Sequence, residues 1–169
     1  MDVFRSLRPK LRRIVALVGD VESASVTTRS TDPAVKAAVL VRDLVPVATF
    51  SDVERIMASL DPERELVIVP APLPRGIDIE GIAQAAIRHR VVLGGAADAG
   101  GVVSVRLEHP DLPRQLAAIL DKVLRGEKPA GIPFEVPNRS EITLNRATAR
   151  RIGVEIAPEL LLRATNVID

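Results

Sequence analysis

Cysteine, tryptophan and tyrosine are absent from this 169-residue chain, and phenylalanine occurs three times. Without cysteine the chain has neither a disulfide nor a thiolate metal site. With so few aromatics there is little for bases to stack on. The 23 basic and 22 acidic residues leave a net charge of +1, so no field of one sign favours nucleic acid or an anionic membrane. Nucleic acid is therefore not an expected partner. No stretch approaches the roughly 20 apolar residues that span a bilayer. The opening residues, Met1-Asp-Val-Phe-Arg-Ser-Leu-Arg-Pro-Lys10, lack the apolar run of about 7–15 residues found in secretory signals. As given, the chain reads as unexported and cytoplasmic. The two histidines, His89 and His109, have no carboxylate or histidine at metal-ligand spacing and read as surface residues, so no metal or other cofactor is expected.

What is present alternates in period. Arg13-Ile-Val-Ala-Leu-Val18 is the short β-branched run of a strand buried on both faces, and Gly19-Asp20 stops it. A Ser/Thr-rich loop follows, and Asp32-Pro33 then has the form of an N-cap and first helical residue, predicting a helix to about Asp43. Val45–Phe50 reads as a second strand, and Ser51-Asp-Val-Glu54 as a capping box opening a helix through Leu60. Glu65–Val69 is a third strand, closed by Pro70-Ala-Pro-Leu-Pro74. Asp78 caps a helix whose Ile79, Ile82, Ala83, Ala86 and Ile87 share one side. Val91–Leu93 and Val102–Val105 are a fourth and a fifth strand. The helix from about Asp111 to Leu124 is expected to bury Leu112, Leu116, Ile119, Leu120 and Val123, and stops at Gly126. The sum is an α/β fold: a doubly wound, mainly parallel five-stranded sheet with helices on both faces. One domain is expected over residues 1–169, with a core at 1–128 and a strand–helix tail at 129–169.

That tail carries a resemblance. Leu120-Asp-Lys-Val-Leu-Arg-Gly-Glu-Lys-Pro129, Ile132-Pro-Phe-Glu-Val-Pro137, the strand Glu141-Ile-Thr-Leu-Asn145, the helix Arg146-Ala-Thr-Ala-Arg-Arg-Ile-Gly-Val154 and Ile156-Ala-Pro-Glu-Leu-Leu-Leu-Arg-Ala164 follow in order. This order resembles the C-terminal signature of bacterial ABC-transporter substrate-binding proteins with a type I periplasmic-binding fold. Leu7-Arg-Pro-Lys-Leu-Arg-Arg-Ile-Val-Ala-Leu-Val18, Leu66-Val-Ile-Val-Pro-Ala-Pro72, Arg88-His-Arg-Val-Val-Leu-Gly94 and Gly100-Gly-Val-Val-Ser104 resemble segments of the same family's second lobe. The first lobe has no counterpart here. The resemblance implies a small polar solute such as an amino acid, an ABC permease as partner, and a periplasmic setting for any longer exported protein. It also implies that some surface normally packed on the missing lobe is covered by the tail, by a companion lobe or by a second copy in a homodimer.

Ligands of α/β sheets meet the loops at the carboxyl ends of the strands. The candidate contacts are Asp20, Pro70, Ala71, Gly94 and Gly95. Asp20 would accept from a ligand ammonium group, and the Gly94 and Gly95 amides would meet a carboxylate. The family commonly has tyrosine where this chain has Gly94, which argues against aromatic ligands. Gly94-Gly-Ala-Ala-Asp-Ala-Gly-Gly101 lacks the Lys-Ser/Thr pair of a phosphate cradle. Ser104 has no glycine elbow and no triad order around it, and Asp20 stands apart from any acidic cluster that would hold magnesium. Asp78 and Glu80 suit a helix N-terminus, and Arg146, Arg150 and Arg151 a solvated helix face. No catalytic residue is expected. The reading is a non-catalytic solute-binding module. Its rivals are an interaction or dimerisation scaffold that has lost its ligand, and a fragment of a larger two-lobed binding or sensor protein.

Overall fold

The computed structural model describes residues 2–19, 41–70, 73–108, 112–132 and 139–169. Seven strands form one sheet: β1 (Arg13–Val18), β2 (Val41–Pro46), β3 (Glu65–Ile68), β4 (Val92–Gly94), β5 (Val103–Glu108), β6 (Arg139–Asn145) and β7 (Asn166–Ile168). Their spatial order is β2-β1-β3-β4-β5-β6-β7. The pairs β1–β2, β1–β3, β3–β4, β4–β5 and β6–β7 are parallel. Among the described residues six α-helices accompany them: α1 (Asp2–Leu7), α2 (Phe50–Ser59), α3 (Ile79–Arg88), α4 (Leu112–Leu124), α5 (Arg146–Arg151) and α6 (Pro158–Arg163). The α/β class and the parallel sheet agree with the sequence. The two strands beyond the expected five are β6, which was assigned to the tail, and β7, which has only three residues and no alternation to reveal it.

The chain divides into two compact units, one of Met1–Ser104 with Ile142–Asp169 and one of Val105–Glu141. In the first unit successive strand residues point to opposite faces. Val15, Leu17, Val67 and Leu93 pack with Val53, Ile56 and Met57 of α2 and Ile82, Ala83 and Ala86 of α3. Their neighbours Ile14, Leu66 and Val92 pack on the other face with Val3 and Leu7 of α1, Ala149 of α5 and Leu160 of α6. Burial on both faces is why these strands read as continuous apolar runs. It is also why helices must cover both sides.

Three local expectations are corrected. The helix expected to reach Asp43 cannot do so, because β2 begins at Val41; its earlier residues, 32–40, lie outside the described part. Asp43 instead sits beside Arg13 at 3.2 Å, and Arg13 also meets Glu65 at 2.5 Å, so charges tie together three adjacent strands. The second strand therefore ends at Pro46, four residues earlier than expected, because Thr49 is needed as a cap. The capping box is also Thr49 with Asp52, not Ser51 with Glu54. The Thr49 hydroxyl accepts from the Asp52 amide at 3.3 Å, and the Asp52 carboxylate accepts from the Thr49 amide at 2.9 Å. Glu54 is left to pair with Arg88 and, at 3.0 Å, with His89, joining α2 to α3.

In the second unit α4 forms over the expected residues, but Leu116, Ile119, Leu120 and Val123 are not buried as expected, and the side chain of Leu112 lies outside the described part. Leu116 is 49% exposed and Leu120 56%, and Ile119 and Val123 are also exposed. Helical spacing fixes which side of α4 is apolar. It does not supply anything to cover that side.

Candidate functional site

β1 has β2 on one side and β3 on the other, so the chain crosses one way from β1 to β2 and then back past β1 to β3. Such a switch point opens a crevice at the carboxyl ends of the two diverging strands. Gly19 follows β1 and Pro70 follows β3, while Gly94 closes β4, whose register sets Ile68 opposite Gly94. Pro70, Gly94 and Gly95 thus lie at one end of adjacent strands. Asp20 and Ala71 lie outside the described residues.

The two glycines differ. Gly94 is buried, and a Cβ added there would lie 2.6 Å from Cε1 of Phe4 and 3.2 Å from Cγ2 of Ile68. The ring of α1 therefore occupies the space that a side chain at 94 would need. Gly95 is exposed at φ +89°, with nothing within 4 Å of an added Cβ. That conformation favours glycine, and the open space permits close approach to the backbone. The Gly95 amide already donates to the Val103 carbonyl at 2.7 Å. It is thus committed within the chain, and the expected role for it as a carboxylate donor has no free N–H to rest on.

Sequence reasoning overlooked what holds this loop. After Gly95 the chain makes a 3-10 turn at Ala97–Ala99, and Gly101 packs so closely that an added Cβ would lie 2.8 Å from the Ala96 carbonyl oxygen. Asn145, buried at the end of β6, donates from its side-chain amide to the Ala97 carbonyl at 3.1 Å. Its Oδ1 accepts from the Thr148 amide at 2.8 Å and so caps α5. The Thr148 hydroxyl donates to the Gly100 carbonyl at 3.1 Å. One buried polar pair thus caps a helix and fastens the loop. The signal was available as Asn145-Arg-Ala-Thr148, an N-cap residue with a hydroxyl three positions on.

The remaining polar features are ordinary. Ser104 is buried, and its hydroxyl has no partner among the described residues. A pocket of about 200 Å³ is lined by Arg146, Arg150 and Glu155, but both arginines face Asp169, at 3.0 and 3.8 Å. A pocket of about 380 Å³ lies at the amino ends of β1 and β3, away from the switch-point crevice, and mixes Arg12, Arg13 and Arg64 with Asp61 and Glu65. Arg55 and the Thr49 cap hold the Asp52 carboxyl down at about 2. His89, then Arg88, hold that of Glu54 below its usual range. His89 is hydrogen-bonded to Glu54 and only partly exposed; His109 lies outside the described residues. No group of three or more metal-binding side chains occurs among the described residues, and none of their helices is long and apolar enough to cross a membrane.

The family model of ABC transporter substrate binding proteins matches residues 1–168. The chain belongs to that family. No curated protein matches it. Solved structures similar to this substrate-binding family member include the ABC domain in complex with L-Trp from Streptococcus pneumonia. That structure has 24% identity and a TM-score of 0.67, and the match covers 99% of this chain and 60% of that one. A conserved domain protein from Vibrio cholerae O1 biovar El Tor has 18% identity and a TM-score of 0.67, covering 98% and 58%. CD0873 from Clostridium difficile, described as a substrate binding protein with adhesive properties in a ligand-free, open structure, has 16% identity and a TM-score of 0.69, covering 99% and 58%. At these identities the likeness shows the fold. This family member spans only about three-fifths of each relative.

Proposed function

We propose that this chain is a non-catalytic solute-binding module whose ligand is a small polar solute of the amino-acid class, bound at the carboxyl ends of β1, β3 and β4. The observation that supports the reading is at the carboxyl end of the sheet. There Gly95 is exposed, with nothing within 4 Å of an added Cβ, at the same end as Pro70 after β3. Family membership supports a solute as ligand, and the L-Trp in the S. pneumonia relative supports an amino acid. Phe4 fills the place beside Gly94, so a ring-bearing residue at position 94 has no room. This favours a ligand without a large aromatic side chain.

In this reading Asp20 is the acceptor for the solute ammonium, and Pro70 and Ala71 are further contacts. Gly94 keeps the floor small by admitting Phe4. Gly95 contributes close approach of backbone to ligand, its own amide being engaged elsewhere. The loop is set in place before the ligand arrives, because Asn145 and Thr148 already hold its carbonyls, and preorganisation of this kind lowers the cost of binding. Delivery of the solute to an ABC permease is the role the family supports for the whole protein.

Titration of the ¹⁵N-labelled chain with aliphatic, polar and aromatic L-amino acids tests the site. The expected result is saturable shifts of the Gly19, Val69, Gly94 and Gly95 amides with an aliphatic or polar amino acid. Shifts confined to other regions, or none up to millimolar concentration, would sink the assignment.

A further inference from the structure

The turn between α5 and α6 forms a pocket that the proposed function leaves unused. Its volume is about 200 Å³, and its lining includes Arg146, Arg150, Val154, Glu155, Ile156 and Leu161. Arg146 and Arg150 are four residues apart on α5 and so share a face. Past the end of α5, Gly153 takes a φ of +72° and turns the chain, and the Val154 amide donates to the Ala149 carbonyl at 2.8 Å. Residues 154–156 are thereby brought back alongside α5, and α6 adds Leu161. Val154 is buried, Ile156 and Leu161 are half-buried, and Glu155 is exposed. The pocket thus combines two cations, one anion and an apolar wall.

One carboxylate already meets the two cations. Parallel pairing of β6 and β7 sets Asn145 opposite Ile168, so the residues that follow, Arg146 and Asp169, come together. Oδ1 of Asp169 lies 3.0 Å from Nη1 of Arg146 and 3.8 Å from Nη2 of Arg150. A single oxygen leaves most N–H donors of two guanidiniums unused. Arg146 is 39% exposed, Arg150 65% and Asp169 63%, and ion pairs so open to water are weak. Asp169 therefore shows that a carboxylate fits the arginine pair, and it can be displaced at little cost. A clasp for the end of β7 accounts for Asp169 and the arginines. It does not account for the cavity, or for Glu155, which meets no cation among the described residues.

We propose that this pocket binds a free amino acid with a short aliphatic side chain. Arg146 and Arg150 hold its carboxylate, Glu155 its ammonium group, and Val154, Ile156 and Leu161 its side chain, with Asp169 as an internal competitor for the arginines. The volume is below the roughly 300–1,000 Å³ of sites for drug-sized ligands, which suits an amino acid and excludes a nucleotide. A guanidinium fork matches a carboxylate with two parallel hydrogen bonds. Opposite charges in the lining select a zwitterion over a simple acid or amine, because either of those leaves one lining charge unpaired. The pocket is built from elements that follow β6, whereas the strand-end site belongs to β1, β3 and β4, so neither assignment rests on the other.

Titration of the ¹⁵N-labelled chain with L-valine, isovalerate and isobutylamine tests this, the last two each carrying one of the charges. L-Valine should give saturable shifts at Gly153, Val154, Glu155 and Ile156, and bind about tenfold more tightly than either half-ligand. Arg146→Gln should weaken its binding about tenfold. Asp169→Asn should tighten it about two- to fivefold, since a weak exposed competitor is removed. Both substitutions break the Asp169 clasp, so a purely structural role would move affinity the same way in both, and that result would overturn the proposal. It would also be overturned by the absence of saturable shifts at residues 153–156 up to millimolar concentration, or by isovalerate binding as tightly as L-valine. A peptide ending in valine that bound more tightly than the free amino acid would overturn it too. The strand-end reading fails separately. Shifts at residues 153–156, with none at Gly19, Val69, Gly94 and Gly95 for any amino acid, sink that reading and leave this pocket standing. The converse pattern sinks the pocket alone.

Discussion

α3 and α4 carry the same sequence signature and meet opposite fates. Both place large aliphatic residues at three- and four-residue spacing, and both are long enough to be stable elements when packed. On α3, Ile82, Ala83 and Ala85 are fully buried; on α4, Leu116 and Leu120 are about half exposed. The difference lies in the surroundings. α3 has β1, β3 and β4 beneath it, whereas among the described residues none of α4 belongs to a buried cluster. An apolar stripe reports that a helix is meant to be covered, and is silent on whether the covering atoms belong to the same chain.

Substitution separates the two helices most sharply. Ile82→Ala should destabilise the chain by about 2–5 kcal/mol, since it removes fully packed methyl groups and leaves a cavity. Chemical denaturation would show this as a lower midpoint, and a loss below 1 kcal/mol would mean that α3 is no better packed than α4. The next effect comes from the loop. Asn145→Ala leaves the Thr148 amide without its partner and the Ala97 carbonyl with only the bond from the Gly100 amide, at a cost of about 1–3 kcal/mol. Hydrogen exchange should then speed up at Ala97–Gly101 more than at β1. Equal acceleration at both would show that Asn145 supports the whole unit and not the loop.

Gly94→Ala should cost about 1–3 kcal/mol by overpacking against Phe4. The cost should shrink in a Phe4→Leu background, where the ring is gone. An additive double-mutant cycle would show that Phe4 is not what confines position 94.

A smaller effect is expected at the cap of α2, where Thr49→Ala should cost about 1 kcal/mol. The partner Asp52 adds a pH signature. Its carboxyl is held at about 2 in the folded chain, below the ordinary value of 3.8, so its contribution is complete above about pH 4 and is lost as pH falls towards 2. Asp52→Asn should therefore be less stable than the parent at pH 7, with the gap closing near pH 2. A gap that widened in acid would reverse the sign of the argument. The smallest effect belongs to α4: Leu120→Ser in the chain alone should change stability by no more than about 0.5 kcal/mol, the range of a surface site. A loss as large as that of Ile82→Ala would show that α4 is packed within the chain.

Strands β1, β3 and β4 were legible because burial on both faces forces uninterrupted aliphatic runs, and their boundaries moved by only a residue. β2 was misplaced because Asp43 looks like a helix end until Arg13 of β1 is seen beside it. β7 had no readable signal, since three residues become a strand only by lying along β6. Of the candidate site, the strand ends were found from the run-and-glycine pattern. The consequences of Gly94 and Gly95 were not, because a glycine has no side chain whose contacts can be anticipated. One proved to admit Phe4, and the other to spend its amide on Val103.

By itself the sequence determined the α/β class, the carboxyl-end loops and the order of motifs that marks the family. These follow from local spacing, which a chain carries wherever it folds. Only the tertiary structure decided that Asn145 and Thr148 would fasten the loop after β4, that the Gly95 amide would be used internally, and that the apolar side of α4 would stand exposed. Each of those depends on what residues distant in sequence bring, or fail to bring, within a few ångströms.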